Sequence, residues 1–165
     1  MRKDRGTCAP VFSNDQILAR PAKPPPRALI RPFVALHNFI YRLSAGRVAG
    51  RFGKGPVLLL TVQGRKSGRR QTVPLIYVAT ERGYAIIASF AGSPTHPAWY
   101  LNLEAAGEAD IQVGGGRTHV LAEAVPSESQ HYADIWRRAV ALYPDYETYK
   151  KRTTRRIPIV ELIPQ

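Results

Sequence analysis

Cysteine is nearly absent: Cys8 is the single one in 165 residues. An internal disulfide is therefore excluded, and the fold does not depend on an oxidising compartment. No base is expected near Cys8, so a catalytic thiol is not expected either. Long apolar runs are missing too. Val57-Leu58-Leu59-Leu60 is strand-sized and bounded by Pro56 and Gln63, far short of the roughly 20 residues that span a bilayer. A secretion signal is not expected, because Pro10, Pro21 and Pro24-Pro25-Pro26 interrupt the basic N-terminal stretch. A cytoplasmic location is the resulting expectation. His37, His96, His119 and His131 lack close ligand spacing, so no metal site is expected and each histidine is assigned a structural or solvent-facing role. Acidic residues are scarce: 12 Asp and Glu stand against 24 Lys and Arg, a net charge of +12. That balance points to an anionic partner, whether nucleic acid, an acidic membrane surface or a multiply charged small ligand.

What remains is enough for one globular domain, with 44% hydrophobic residues and two Trp. Residues 1–28 read as a flexible, basic, Pro-rich tail, and 29–165 as the domain. From Leu29, the spacing of Phe33, Leu36, Phe39, Ile40 and Leu43 predicts an amphipathic helix flanked by Arg31, Arg42, Arg47 and Arg51. It covers the open side of the domain and is compatible with peripheral contact to anionic lipid. Pro56–Val62 and Thr72–Ala79 read as a hairpin with a long basic loop, and Tyr84–Ser89 as a third strand. Pro97 is expected to open a helix that Gly107 ends. Ala109–Val113, Gly114-Gly115-Gly116 and Thr118–Ala124 form another hairpin. Ser127 with Gln130 suggests a capping box for a helix buried through Tyr132, Ile135, Trp136, Ala139, Val140 and Tyr143. A shorter helix follows Tyr143-Pro144-Asp145, and Ile157–Ile163 closes the chain, Pro158 suggesting an edge position or a strand entrance. The expected fold class is α+β, mainly β: a split barrel of about six mostly antiparallel strands with flanking helices.

The loop Gly64-Arg65-Lys66-Ser67-Gly68-Arg69-Arg70 combines glycines that expose backbone N–H groups, a hydroxyl and cationic side chains. It suits phosphate or carboxylate oxygens. It is not a P-loop, because the spacing is wrong and a strand follows. Alone it equally describes a solvated hairpin tip.

It is joined, in order, by Gly64–Leu75, Ala88-Ser89-Phe90-Ala91-Gly92, His96-Pro97-Ala98-Trp99-Tyr100-Leu101-Asn102-Leu103, Tyr143-Pro144-Asp145-Tyr146-Glu147-Thr148-Tyr149 and Arg155-Arg156-Ile157-Pro158-Ile159. This series, from about residue 55 to the end, resembles the deazaflavin-dependent nitroreductase family. The resemblance implies a split barrel that binds coenzyme F420 and reduces a nitro compound, quinone or activated enone. Arg65, Lys66 and Ser67 would meet the coenzyme's anionic tail. Further contacts carry over to Gln71, Thr72, Val73, Pro74, Leu75 and Ile76, to Ile87, Ala88, Ser89 and Phe90, and to Ala98, Trp99, Tyr100, Leu101 and Asn102. Tyr143, Tyr146 and Tyr149 would close over the ring and line the substrate pocket, Tyr146 touching the coenzyme as well. Ser89 and these tyrosines are the candidate catalytic groups, as donors to an oxygen that gains negative charge. Each tyrosine equally suits packing of a short helix, and Trp99 suits the core better than the ring. Two departures stand out. The family usually has arginine at Gln71, and often lysine or asparagine at Phe90. A lost charge-assisted hydrogen bond is worth about 1.5–3 kcal/mol, unless Arg69 or Arg70 reaches the same oxygen.

Two rivals remain at this level. A flavin mononucleotide enzyme on the same barrel would also need a basic loop. A non-enzymatic basic module could bind membrane or nucleic acid, although no aromatic residues interleave with the basic tail to form a stacking platform, and no specific nucleic-acid partner is expected. The partner expected is a small-molecule substrate, with a homodimer implied by the resemblance alone.

Overall fold

The computed structural model describes residues 27–165. Cys8 and nearly all of the expected tail lie outside them. The chain folds as α1 (Arg27–Leu43), β1 (Arg51–Phe52), β2 (Gly55–Gln63), β3 (Arg70–Thr80), β4 (Gly83–Ile87), a 3-10 turn (Phe90–Gly92), α2 (Ala98–Ala106), β5 (Glu108–Val113), β6 (Gly116–Ala124), α3 (Gln130–Leu142), α4 (Asp145–Lys151) and β7 (Ile159–Pro164). Every strand pairing is antiparallel. The order β2-β3-β4-β7-β6-β5 closes on itself where β5 pairs with β2 over Leu59–Thr61, giving a six-strand barrel with β1 outside it.

Strand alternation sorts side chains into two environments. Leu58, Leu60 and Val62 of β2 meet Ile86, Ile111, Val120, Val160 and Leu162 inside the barrel, and Tyr100 and Leu103 of α2 plug one end. Outside, Val78, Ala85, Ile87 and Ile159 are covered by Ile135, Trp136 and Ala139 of α3 and by Tyr146 of α4. Val57 and Leu59 lie under Tyr41 of α1. Among the described residues no helix is long and apolar enough to cross a membrane.

Several local expectations are corrected. On α1, Leu36, Phe39 and Leu43 are 57%, 63% and 78% exposed, whereas Tyr41 is 1% exposed. The face that packs is chosen by the Tyr41 hydroxyl, which donates to the Val57 carbonyl (2.8 Å) and accepts the Gly114 N–H (2.9 Å). The cap of α3 is Ser129, whose Oγ accepts the Tyr132 N–H at 3.1 Å; Ser127 instead receives Arg156. Pro97 is the residue before α2 and not its first residue, while Gly107 ends that helix in the left-handed region at φ 71°. β7 is no edge: it pairs with β4 on one side and β6 on the other, and Pro158 sits at its entrance, where its missing N–H is not needed. The third strand stops at Ile87, so Ala88 and Ser89 belong to the turn that follows.

Candidate functional site

The hairpin tip between β2 and β3 is a compact turn. The Gly64 N–H donates to the Arg69 carbonyl (2.9 Å), and the Gly64 carbonyl accepts from Ser67 (3.1 Å) and Gly68 (2.8 Å). Arg65, Lys66, Ser67 and Arg69 remain exposed. The tip is anchored to α2, because Asn102, 4% exposed, accepts at its Oδ1 from the Arg65 backbone N–H (3.2 Å) and from the Arg65 guanidinium (3.1 Å). One buried side chain thus fixes both the backbone and the charge of the loop beside the plugged barrel end.

Register sorts the next segment. Gln71, Val73 and Leu75 lie opposite Val62, Leu60 and Leu58 and share their inward face. Thr72, Pro74 and Ile76 face outward toward α1. There the Thr72 hydroxyl meets Thr61 (2.9 Å) and Arg42 (3.2 Å), its carbonyl accepts from Asn38 (3.0 Å), and Ile76 packs on the Tyr41 cluster. Of the candidate coenzyme contacts, Val73, Leu75, Ala88, Trp99, Tyr100 and Leu101 converge on the barrel-end core. Arg70 does not stand in for an arginine at position 71. It pairs with Asp110 on the outer face, as alternation along β3 requires. Ile87 faces the opposite, α3-covered side.

Where β4 ends, the backbone is strained. Ser89 is right-handed helical at φ −70°, ψ −40°, and Phe90, Ala91 and Gly92 then take φ of 47°, 53° and 76°. Two consecutive non-glycine residues in the left-handed region cost about 1–3 kcal/mol each, and such strain clusters at functional sites. A Cβ on Gly92 would sit 2.7 Å from the Tyr149 carbonyl oxygen, so this turn and α4 touch backbone to backbone. That contact joins the strained turn to the tyrosines.

The tyrosines form a cluster of their own. The Tyr143 and Tyr149 hydroxyls are 3.0 Å apart, and ring centroids of Tyr143, Tyr146 and Tyr149 lie 5.3–6.3 Å from one another. Tyr146 is 5% exposed and packs beside Trp136. Burial drives the Tyr146 phenol well above the ordinary tyrosine range. Tyr143 rises for the same reason, helped by its bond to Tyr149. Tyr100 is pushed up to about 12, first by burial and then by its hydrogen bond to Glu104. All three stay protonated near neutrality, so they can donate hydrogen bonds but not act as bases.

Two features were not singled out from sequence. Arg155 reaches into the strained turn from the α4–β7 segment, its guanidinium donating to the carbonyls of Ser93 (2.8 Å), Ser89 (2.8 Å) and Ala88 (3.0 Å). A hint lay in the Arg155-Arg156-Ile157 run, but nothing local says where its side chain goes. The second is an open groove of about 680 Å³ on the outer barrel face, lined in part by Arg42, Thr61, Arg70, Asp110, Arg117 and His119. It is an open groove of mixed lining, separate from the barrel-end site, and the acceptor Asp110 is already shared by Arg70 and His119.

A closed antiparallel barrel, plugged by a helix and flanked at that end by a cationic loop and a strained turn, defines a small split-barrel protein with a place for an anionic ligand. The F420H(2)-dependent quinone reductase family model matches residues 33–164. The chain belongs to that family. An F420H(2)-dependent quinone reductase of Mycobacterium tuberculosis is 38% identical over 129 residues, 77% of this chain and 87% of the relative. Among solved structures, the F420-H2 dependent reductase FDR-A has 37% identity and a TM-score of 0.57 over 65% of this chain and 93% of its own. A protein described as a domain-swapped dimer has 32% identity and a TM-score of 0.59 over 79% of this chain and 98% of its own.

Proposed function

We propose that this chain transfers hydride from reduced coenzyme F420 to a quinone-type electrophile. The observation that carries this assignment is the anchoring of Arg65 by buried Asn102, which sets a cationic loop beside an apolar barrel end. That pairing suits a ligand with a flat ring and an anionic tail, and the F420H(2)-dependent relatives favour the deazaflavin over flavin mononucleotide. Bound F420 supplies the hydride from a ring carbon, which leaves the protein chiefly the tasks of binding, orientation and water exclusion.

The residues divide these tasks. Arg65 and Lys66 hold the tail, with Ser67 adding a hydroxyl. Val73 and Leu75, backed by buried Ala88, offer an apolar wall to the ring, and Gln71 on the same face of β3 offers an amide in place of the family's usual arginine. Trp99 to Asn102 carry that wall around the plugged end. Ser89, Tyr143 and Tyr149 are donors for an acceptor oxygen on the substrate, the Tyr143 phenol kept protonated by burial. Tyr146 supports them from beneath. For assembly, we take a homodimer, on the strength of the domain-swapped relative. Exposed Leu36, Phe39 and Leu43 are where α1 would meet a second copy or an anionic membrane; light scattering with and without acidic vesicles separates the two.

The test is a titration with oxidised F420 and with flavin mononucleotide, then turnover of reduced F420 with a quinone, a nitroaromatic and an activated enone. Expected are F420 binding, quinone turnover, and a loss of affinity of tenfold or more on combined Arg65→Glu and Lys66→Glu, since each charge-assisted bond contributes about 1.5–3 kcal/mol. Undiminished affinity in that double variant, or tight flavin mononucleotide binding with none of F420, overturns the assignment.

A further inference from the structure

The guanidinium of Arg155 has five N–H donors, and five acceptors surround it. Nε donates to the Ser93 carbonyl at 2.8 Å, and Nη2 to Ala88 at 3.0 Å and Ser89 at 2.8 Å. Nη1 faces the Arg156 carbonyl at 3.3 Å and the His96 Nδ1 at 3.4 Å. Burial lowers the tendency of this group to hold its charge, a cost that a surface arginine would avoid. Three of the acceptors are carbonyls of one turn, and that turn contains Phe90 and Ala91 in the left-handed region.

Peptide geometry extends this contact to the other side of the turn. In a trans peptide the C=O of one residue and the N–H of the next point in opposite directions, and no cis bond is present among the described residues. With the Ala88 and Ser89 carbonyls drawn to Arg155, the N–H groups of Ser89 and Phe90 are turned away from it. Neither donates to a backbone carbonyl among the described residues. The step from right-handed Ser89 to left-handed Phe90 is the conformation that brings successive N–H groups to bear on one anionic or carbonyl oxygen.

We infer that Arg155 is a positioning residue: its guanidinium holds the Ala88–Ser93 turn so that the Ser89 and Phe90 N–H groups face an acceptor oxygen of the bound coenzyme ring. This rests on the F420 assignment above. The tail grip at Arg65 and Lys66 belongs to a separate loop, so ring placement and tail affinity are separable.

Arg155→Ala and Arg155→Lys are compared with the parent. Without coenzyme, amide hydrogen exchange in Arg155→Ala is expected to quicken at Gly92 and Ser93, whose N–H groups close the turn onto Ser89 and Phe90, while β2 and β5 amides keep their parental rates. With coenzyme, kcat is expected to fall roughly 100-fold, the scale of an ångström-sized misplacement, while F420 affinity changes far less. Lysine has three donors on a tetrahedral head and is expected not to restore kcat, whereas added guanidinium restores part of it in Arg155→Ala. Parental exchange and kcat in Arg155→Ala overturn the inference. So does a uniform rise in exchange across the barrel, or a parallel loss of affinity and kcat, either of which makes Arg155 a general prop. If Arg155→Ala does not fold, Arg155→Lys carries the same readouts. If the parent does not oxidise reduced F420, the functional assignment falls, and the exchange measurement still decides what Arg155 does to the turn.

Discussion

Asp110 shows how one carboxylate sets the charge of its neighbours on the outer barrel face. Its hydrogen bond to His119 (3.0 Å) and its pairing with Arg70 hold the carboxyl below the ordinary range. His119 is raised in turn, chiefly by Asp110 and further by Glu108. The two groups act at opposite ends of the pH scale. The contribution of His119 is present below its ordinary pKa and lost as pH rises through its raised value. That of Asp110 is present above the ordinary carboxylate value and lost as pH falls through its lowered one. Asp110→Asn is therefore expected to move the His119 titration midpoint down, read from its ring proton shifts by NMR; an unmoved midpoint would show that the pairing does not persist in solution. At Tyr146, Phe is expected to preserve stability and Ala to cost about 3–5 kcal/mol, as for other buried aromatics, measured by denaturant unfolding. The ring is what packs there.

At the scale of elements, the 3-10 turn and α1 each place local preference against packing. Ala91 sits at φ 53°, ψ 27°, where glycine has no Cβ penalty. Ala91→Gly is expected to stabilise the protein by up to about 1 kcal/mol, a melting rise of roughly 2–4 °C, checked by calorimetry. The same variant loosens the turn and is expected to lower turnover, which is how strain at a functional site differs from a mere defect. On α1, Tyr41→Phe leaves the Gly114 N–H without its acceptor, a loss of about 1–3 kcal/mol that denaturant unfolding would register. Helical periodicity placed α1 correctly but favoured its more apolar side. The side that packs carries an aromatic hydroxyl able to satisfy two backbone groups, one on β2 and one in the β5–β6 turn, and side-chain hydrophobicity alone does not contain that information.

For the whole molecule, closure of the barrel is the point of interest. β2 pairs with β3 from Val57 to Gln63, but with β5 only over Leu59–Thr61. The β2–β5 seam is expected to be the first part of the barrel to open, its amides exchanging at lower free energy than those between β2 and β3. Such a seam is also a place where a chain can trade elements with a second copy. Multi-angle light scattering reads the mass directly. The net charge of +12 acts at this scale too, steering anionic ligands toward the protein with a rate that falls as salt rises.

The sequence by itself determined the antiparallel barrel, the cationic hairpin tip, the helix ended by Gly107, and the family, because each is written in short-range patterns: alternation of period two, turn residues, and an ordered run of motifs. Tertiary structure alone decided that Asp110 is the partner Arg70 meets on the outer face, and that β7 lies between β4 and β6. It also brought Arg155 to the carbonyls of Ala88 and Ser89, 67 and 66 residues away along the chain. Contacts at such separation depend on how the sheet closes and which helix covers which face, and these are set by the sum of the packing rather than by any local segment.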